Sequence, residues 1–337
     1  MASRGSGLPA PSHRLQHLPS RRESSAASVD GVAEGLIQLA PAPARSSGRF
    51  APSPTGPLHL GNLRTALIAW CCARSTGSSF AIRIEDLDRA RCRAGSAQQQ
   101  LSDLAAIGLE WDQPVVVQSE RTALYADALA QLRSDGLLYE CWCTRAEIRE
   151  ASSAPHGAAT AYPGTCRELS AEQLAERRAT GRNPALRVRA EEARVKFFDR
   201  VHREQEGTVD DFVVARQDGA FAYHLAVVVD DADQSIDEVV RGDDLLDSTP
   251  AQCWLQERLG LARPSYVHVP LLRDENGIRM SKRDASVTLD GQRQLSVSAE
   301  EVRSNLIASI GLCEEGELIG DQELLSRFNS ILVESIP

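Results

Sequence analysis

The run Arg49-Phe50-Ala51-Pro52-Ser53-Pro54-Thr55-Gly56-Pro57-Leu58-His59-Leu60-Gly61-Asn62 constrains this chain more than any other segment. Arg49 to Pro52 reads as a short strand running into a turn, residues 53–57 are all turn chemistry, and Leu58 to Arg74 is an apolar helix. Strand, tight loop and helix in that order open an α/β nucleotide-binding fold. Gly56 and Gly61 let backbone approach a ligand, and the helix N-terminus offers free N–H groups to phosphate. His59 beside them is a candidate donor to a phosphate oxygen. The plainer reading is a Pro-rich turn whose histidine is satisfied by backbone.

The α/β texture continues downstream. Ser79 to Ile84 predicts a second strand that ends in the acidic cluster Glu85, Asp86 and Asp88, while Ala97 to Ile107 and Arg121 to Gly136 have helical periodicity. From about 140 to 210 the pattern changes to Cys141, Cys143, a Gly/Ala/Ser-rich stretch and charged helix-and-strand material, which predicts an insertion. The α/β pattern resumes with Phe221 to Val229, a β-rich apolar run, and Glu238 to Asp243, a strand. Thr249, Pro250 and Gln252 have the spacing of a capping box opening a helix. Ser265 to Leu271 is a further strand, Arg273 to Arg283 a polar loop, and Ser298 to Glu301 caps a helix through Ile310. The expected division is a disordered tail (1–48), a first catalytic half (49–139), an inserted subdomain (140–210), a second half (211–290) and a short helical C-terminal segment (291–337).

Charge and cysteine usage narrow the class. The 337 residues carry a net charge of −10, and only Lys196 and Lys282 are lysines, against 35 arginines. Such acidity lacks the broad basic footprint of a protein that lives on nucleic acid, although it permits a local basic patch. Eight cysteines in irregular positions suit a reducing compartment with one metal site rather than a disulfide scaffold. No run approaches the ~18 apolar residues of a membrane span, and no secretory signal is evident, so a cytoplasmic protein is expected. Residues 1–48 carry five arginines against three acids, so residues 49–337 carry −12.

A second candidate site is Arg279-Met280-Ser281-Lys282-Arg283-Asp284, where three cations in five residues suit a polyanion such as triphosphate. Lys282 stands out because arginine serves nearly everywhere else; a compact ammonium on a flexible stem can follow a phosphate as it moves. The two sites, in this order, resemble the HIGH and KMSKS motifs of class I aminoacyl-tRNA synthetases, with Asn62 in place of the final histidine. The glutamyl subgroup is the closer resemblance, extending through Ile82 to Asp88, Phe221 to Asp231 and Val239 to Leu246. It implies a Rossmann-type catalytic domain that forms glutamyl-adenylate from ATP, Mg²⁺ and L-glutamate. It further implies that His59 and Lys282 are catalytic, with Gly61, Asn62, Met280 and Ser281 completing the ATP site. Arg49 and Arg241 become candidate carboxylate partners of glutamate, Glu85 the ammonium partner, and Ser53 and Tyr223 hydrogen-bonding groups.

Only 53 residues follow Asp284, and residues 291–337 hold three arginines against eight acids, poor material for gripping an anticodon stem. The chain is therefore expected to lack an anticodon-binding domain and resembles the truncated glutamyl-Q tRNA(Asp) synthetases, whose acceptor is the queuosine base of tRNA(Asp). Cys141, Cys143, Tyr162 and Cys166 match that family's zinc set, implying one Zn²⁺ per chain. His156, in the same stretch, is the more conventional fourth ligand. Expected partners are ATP, L-glutamate and queuosine-containing tRNA(Asp), with no membrane and a monomeric state. The alternatives are a glutamyl-tRNA synthetase without its anticodon domain, or a non-catalytic RNA-binding paralogue. Lys196 has no evident role.

Overall fold

Strands apolar on both faces, such as Phe80-Ala81-Ile82-Arg83-Ile84, belong in a parallel sheet covered on both sides. The computed structural model, which describes residues 39, 47–144, 146–148, 162–272 and 288–334, places that strand in a seven-stranded sheet. In chain order its strands are β1 (Gly48–Phe50), β2 (Phe80–Ile84), β3 (Val116–Val117), β6 (Ala193–Asp199), β7 (Arg203–Val209), β9 (Glu238–Gly242) and β10 (Ser265–Val269). Their spatial order is β3-β2-β1-β9-β10-β6-β7, parallel throughout except for the antiparallel β6–β7 hairpin. A smaller antiparallel sheet joins β4 (Leu138–Cys141), β5 (Ala185–Val188) and β8 (Val213–Ala215). The inserted stretch thus divides: its β6–β7 hairpin extends the large sheet, while β4 and β5 build the small one.

The helices are α1 (Leu60–Ser75), α2 (Ser96–Ala106), α3 (Thr122–Ser134), α4 (Ala171–Ala179), α5 (Tyr223–Asp233), α6 (Thr249–Leu259), α7 (Leu289–Gln294), α8 (Ala299–Ala308) and α9 (Asp321–Glu334). Side chains alternate across each strand, and the sheet sorts them into two cores. Phe80, Ile82, Ile84, Val240, Val267 and Val269 pack with α1, α8 and α9 on one face. Ala81, Val239 and Tyr266 pack with Leu132 of α3, Leu225 of α5 and Trp254 of α6 on the other. Polar residues in step with the second set, Arg49, Arg83, Arg241 and His268, are all buried. Among the described residues no helix is long and apolar enough to cross a membrane.

Three expectations are corrected. Phe221 to Val229 is not a strand: Tyr223 opens α5, and Leu225 to Val228 are buried against the sheet. A short β-branched run has strand propensity, but packing a helix over this face overrides it. Thr249 is not the N-cap of α6 either; Ser248 holds that position without a side-chain cap bond, and both Thr249 and Gln252 bond Arg241 instead. Nor is order absent throughout residues 1–48. Leu39 is buried in the first core, the Ser47 carbonyl accepts from the N–H groups of Asp237 and Glu238, and Gly48 begins β1. Residues 1–38 and 40–46 lie outside the described residues. The Ser298–Glu301 capping box forms as expected, and α8 and α9 bury Val302, Leu306, Leu324 and Phe328 against α1 rather than standing apart.

Candidate active site

The strand order reverses direction at β1, which has β2 on one side and β9 on the other. In open α/β sheets ligands bind beyond the carboxyl ends of the strands at such a switch point. A cavity of about 450 Å³ lies there, and Arg49, Ser53, His59, Gly61, Asn62, Glu85, Tyr223 and Arg241 all line it. Eight residues singled out across nearly two hundred positions therefore share one cavity.

The loop after β1 is braced from outside, because the Gln100 amide donates to the carbonyls of Ser53 (3.1 Å) and Gly56 (2.7 Å). Gly56 has φ +146°, a conformation that disfavours any side chain. His59 is the N-cap of α1. Its Nδ1 accepts from the backbone N–H of Asn62 at 3.2 Å, and the Asn62 Oδ1 accepts from the His59 N–H at 3.3 Å. A neutral ring whose Nδ1 accepts carries its proton on Nε2, so the cap itself fixes the tautomer. A Cβ at Gly61 would stand 3.1 Å from that imidazole, which accounts for glycine there. The plainer sequence reading of His59 holds, because backbone satisfies its Nδ1.

Beneath the cavity, helix α5 presents acids to the arginines of the sheet. Asp231 takes Arg49 Nε at 3.0 Å and Nη2 at 3.5 Å, and also Arg83 Nη1 at 2.7 Å. Arg83, fully buried, reaches Glu85 Oε1 at 3.2 Å. Burial raises the Asp231 carboxyl, but Arg49 and Arg83 more than offset this and hold it below the usual carboxylate range. At Glu85 burial wins against the same two arginines, and its carboxyl is pushed up. Arg49 therefore lines the cavity with its charge already answered by a carboxylate.

Arg241 is held differently. Its Nε donates to His268 Nε2 at 2.9 Å, Nη1 to Gln252 Oε1 at 2.8 Å and to the Tyr223 hydroxyl at 3.4 Å, and Nη2 to Thr249 Oγ1 at 2.8 Å. Every one of these acceptors is neutral. Among the described residues no carboxylate touches this guanidinium, although it is only 6% exposed. The sequence reading missed His268, Thr249 and Gln252 as site residues; a lone histidine inside the apolar strand Ser265–Val269 was the available signal.

Lys282, Met280 and Ser281 lie outside the described residues, as does His156. Of the described residues on either side of Lys282, Leu272 lines the cavity and Thr288 bridges to His59. The cysteines form a second cluster. Cys141, Cys143 and Cys166 bring their sulfurs within 4.8 Å of one another. Tyr162 Oη lies 3.4 Å from Cys141 Sγ and 3.7 Å from Cys143 Sγ, with Cys143 and Cys166 3.6 Å apart. Bonds of ~2.3 Å to sulfur and ~2.1 Å to oxygen place tetrahedral corners about 3.6–3.8 Å apart, so these four atoms fit one small metal ion. Arg187 stacks 3.8 Å over the Tyr162 ring and donates Nε to Cys141 Sγ at 3.4 Å. A groove of about 1020 Å³ connects this cluster to Ser53, Glu85 and Tyr223, past Arg91, Arg216, Phe212 and Phe221.

Residues 47–336 match the family of class I tRNA synthetases (E and Q), catalytic domain. The glutamyl-Q tRNA(Asp) synthetase of Nocardia farcinica is 56% identical over 266 residues, 79% of this chain and 85% of the relative. That of Symbiobacterium thermophilum is 46% identical, covering 84% of this chain and 92% of the relative. Among solved structures, the glutamate-tRNA synthetase of Elizabethkingia anophelis superposes with a TM-score of 0.72 at 26% identity, over 83% of this chain and 65% of that one. A glutamate tRNA ligase from Elizabethkingia meningosepticum, in complex with its amino acid, gives 0.71 at 26% identity over 83% of this chain and 64% of that one. The chain belongs to the glutamyl and glutaminyl class I tRNA synthetase family, a family of ligases, and within it to the glutamyl-Q tRNA(Asp) synthetase group.

Proposed function

We propose that this chain activates L-glutamate with ATP and transfers it to the queuosine base of tRNA(Asp). The observation that carries the reading is one cavity, at the switch point of the sheet, that joins a phosphate-suited helix N-terminus to a carboxylate, Glu85, and a guanidinium, Arg241, with no carboxylate partner among the described residues. Those groups complement an amino acid with an anionic side chain. The identity to relatives of that name supports the acceptor.

In the first step an oxygen of the glutamate α-carboxylate bonds to the α-phosphorus of ATP as the bond to pyrophosphate breaks. Charge spreads over the phosphates, so positioning and electrostatic stabilisation are what the protein supplies. His59 Nε2–H, Gly61 and Asn62 meet the nucleotide at the start of α1, and Lys282, with Met280 and Ser281, answers the charge of its phosphates. ATP arrives as its Mg²⁺ complex. Arg241 takes the side-chain carboxylate, Glu85 the ammonium, and Ser53 and Tyr223 add hydrogen bonds. Arg49 supports this arrangement through Asp231. In the second step a hydroxyl of the queuosine cyclopentene ring attacks the activated carbonyl and AMP leaves. The groove that runs to the cysteine cluster, with arginines interleaved with aromatic rings, suits unpaired RNA. It supplies the local patch that an acidic chain needs.

The tetrahedral spacing of Cys141, Cys143, Tyr162 and Cys166 fits Zn²⁺, which when bound would pin the inserted subdomain beside the groove. What supports Tyr162 as the fourth ligand is its hydroxyl, 3.4 Å from Cys141 Sγ and accepting the Cys166 N–H at 2.9 Å. The test is ATP–pyrophosphate exchange with glutamate in the absence of tRNA, followed by transfer to tRNA(Asp) with and without queuosine. Exchange that requires tRNA(Glu), or transfer indifferent to queuosine, would overturn the reading.

A further inference from the structure

Arg241, His268 and Asp199 lie in a row across three adjacent strands. Arg241 pairs in register with His268 on β10, and Tyr266 of β10 pairs with Asp199, the last residue of β6. Asp199 Oδ2 accepts both the backbone N–H of His268 (3.0 Å) and its ring Nδ1–H (2.6 Å). Asp199 Oδ1 accepts from the backbone N–H groups of Val201 (2.9 Å) and His202 (2.8 Å), so this carboxylate is held from both sides. His268 and Asp199 are both fully buried. A ring that gives its Nδ1 proton to a carboxylate has one lone pair left, on Nε2, and that lone pair meets the Arg241 Nε–H at 2.9 Å, with the Thr249 hydroxyl 3.1 Å away.

From this row we infer that His268 and Asp199 are positioning residues for substrate selection, holding Arg241 through a neutral imidazole so that its guanidinium faces the cavity uncommitted to any carboxylate among the described residues. The inference rests on glutamate being the ligand of that cavity. A carboxylate in place of His268 would pair with Arg241 and spend its charge, as Asp231 spends that of Arg49; a leucine would leave Nε without its acceptor and the fork held by Gln252 and Thr249 alone. An imidazole relays the orientation of Asp199 while keeping the anion one ring away. Burial, with Arg241 beside the ring, disfavours a second proton on His268 despite Asp199, and its pKa is lowered. His202, whose ring contacts the His268 carbonyl at 3.2 Å, and Tyr266, stacked at 6.0 Å, complete the titratable groups around it.

Two measurements test the inference. In exchange assays His268→Leu should raise the KM for glutamate about tenfold or more, as expected for losing a hydrogen bond to a charged group, with the KM for ATP within about twofold. His268→Gln, whose amide oxygen can accept from Arg241, should recover most of that loss. Equal changes in both KM values, or a His268→Leu protein with unchanged glutamate KM, would overturn it. Nitrogen-15 spectra of the wild-type histidines, with the His268 ring signals assigned through bonds from its own backbone resonances, should show a neutral ring protonated on Nδ1 at pH 7. An imidazolium, or a proton on Nε2, would overturn the relay even if the variants fail to fold. If wild-type protein shows no glutamate-dependent exchange, the assignment of glutamate fails, and the spectra still decide the relay.

Discussion

Replacing Arg241 by glutamine separates the two arginines that line the cavity. Of the five N–H groups on the Arg241 guanidinium, three are tied at 2.8–2.9 Å to His268, Gln252 and Thr249. Among the described residues the rest meet only the Tyr223 hydroxyl, at 3.4 Å. Arg241→Gln removes the charge and these outward donors together, and leaves the ligand carboxylate without its partner. Truncating one member of a desolvated charge pair costs about 2–5 kcal/mol, and each ~1.4 kcal/mol is a factor of ten. The value of kcat/KM for glutamate should therefore fall about 30- to 3000-fold, while the KM for ATP stays within about twofold. Selection against glutamine should narrow as well, since the positive charge is what distinguishes carboxylate from amide. Arg49→Gln is the comparison: it leaves the buried Asp231 with Arg83 alone, so it should lower the melting temperature more and raise the glutamate KM less. The assay is ATP–pyrophosphate exchange as a function of glutamate at saturating ATP, with thermal melts of each variant. A folded Arg241→Gln protein within about threefold of wild type, or an Arg49→Gln effect of equal size, would refute the assignment.

Asp231→Asn should cost about 3–5 kcal/mol, because it strips the shared partner from Arg49 and Arg83; a melting temperature lower by roughly 6–20 °C is expected. The Asp231 carboxyl is lowered in the fold, so its stabilisation is present above the unfolded value near 3.9 and lost as pH falls through the lower folded value. Acid unfolding of Asp231→Asn should be correspondingly less steep, and an unchanged slope would count against the network. Glu85→Gln should raise the glutamate KM about tenfold or more by removing the ammonium partner; because burial raises its carboxyl, wild-type activity should fail on acidification above the ordinary glutamate range. Metal analysis should find about one zinc per chain, reduced in Cys141→Ser and bound more weakly in Tyr162→Phe under chelator competition. His156→Ala should leave zinc retention unchanged, and the reverse order for Tyr162 and His156 would displace Tyr162 as the fourth ligand.

The loop after β1 was legible because its chemistry is local: prolines, glycines and a histidine in one turn admit few structures, and α1 begins where they end. The residues that line the cavity were legible through motif resemblance rather than through their surroundings. Val227 to Val229 misled because β-branched residues have no local reason to be helical; their helix exists to cover the sheet and to bring Asp230 and Asp231 under its arginines. Thr249 and Gln252 misled in the opposite way, since their spacing suits a cap while a buried guanidinium 8 and 11 residues upstream claims both side chains. His268 and Asp199 are 69 residues apart and meet only through strand pairing, which no local pattern reports.

The neutral cradle of Arg241 bears on how the protein behaves before its substrate arrives. Positive potential in a confined cavity draws whatever small anion the solution offers. Sulfate, phosphate or chloride in the buffer should then compete with glutamate, so that its apparent affinity depends on which salt is present and not on ionic strength alone. By the same linkage, glutamate itself should raise thermal stability in proportion to its occupancy. The binding preference of the site would thus be readable in a melting curve without any nucleotide or RNA.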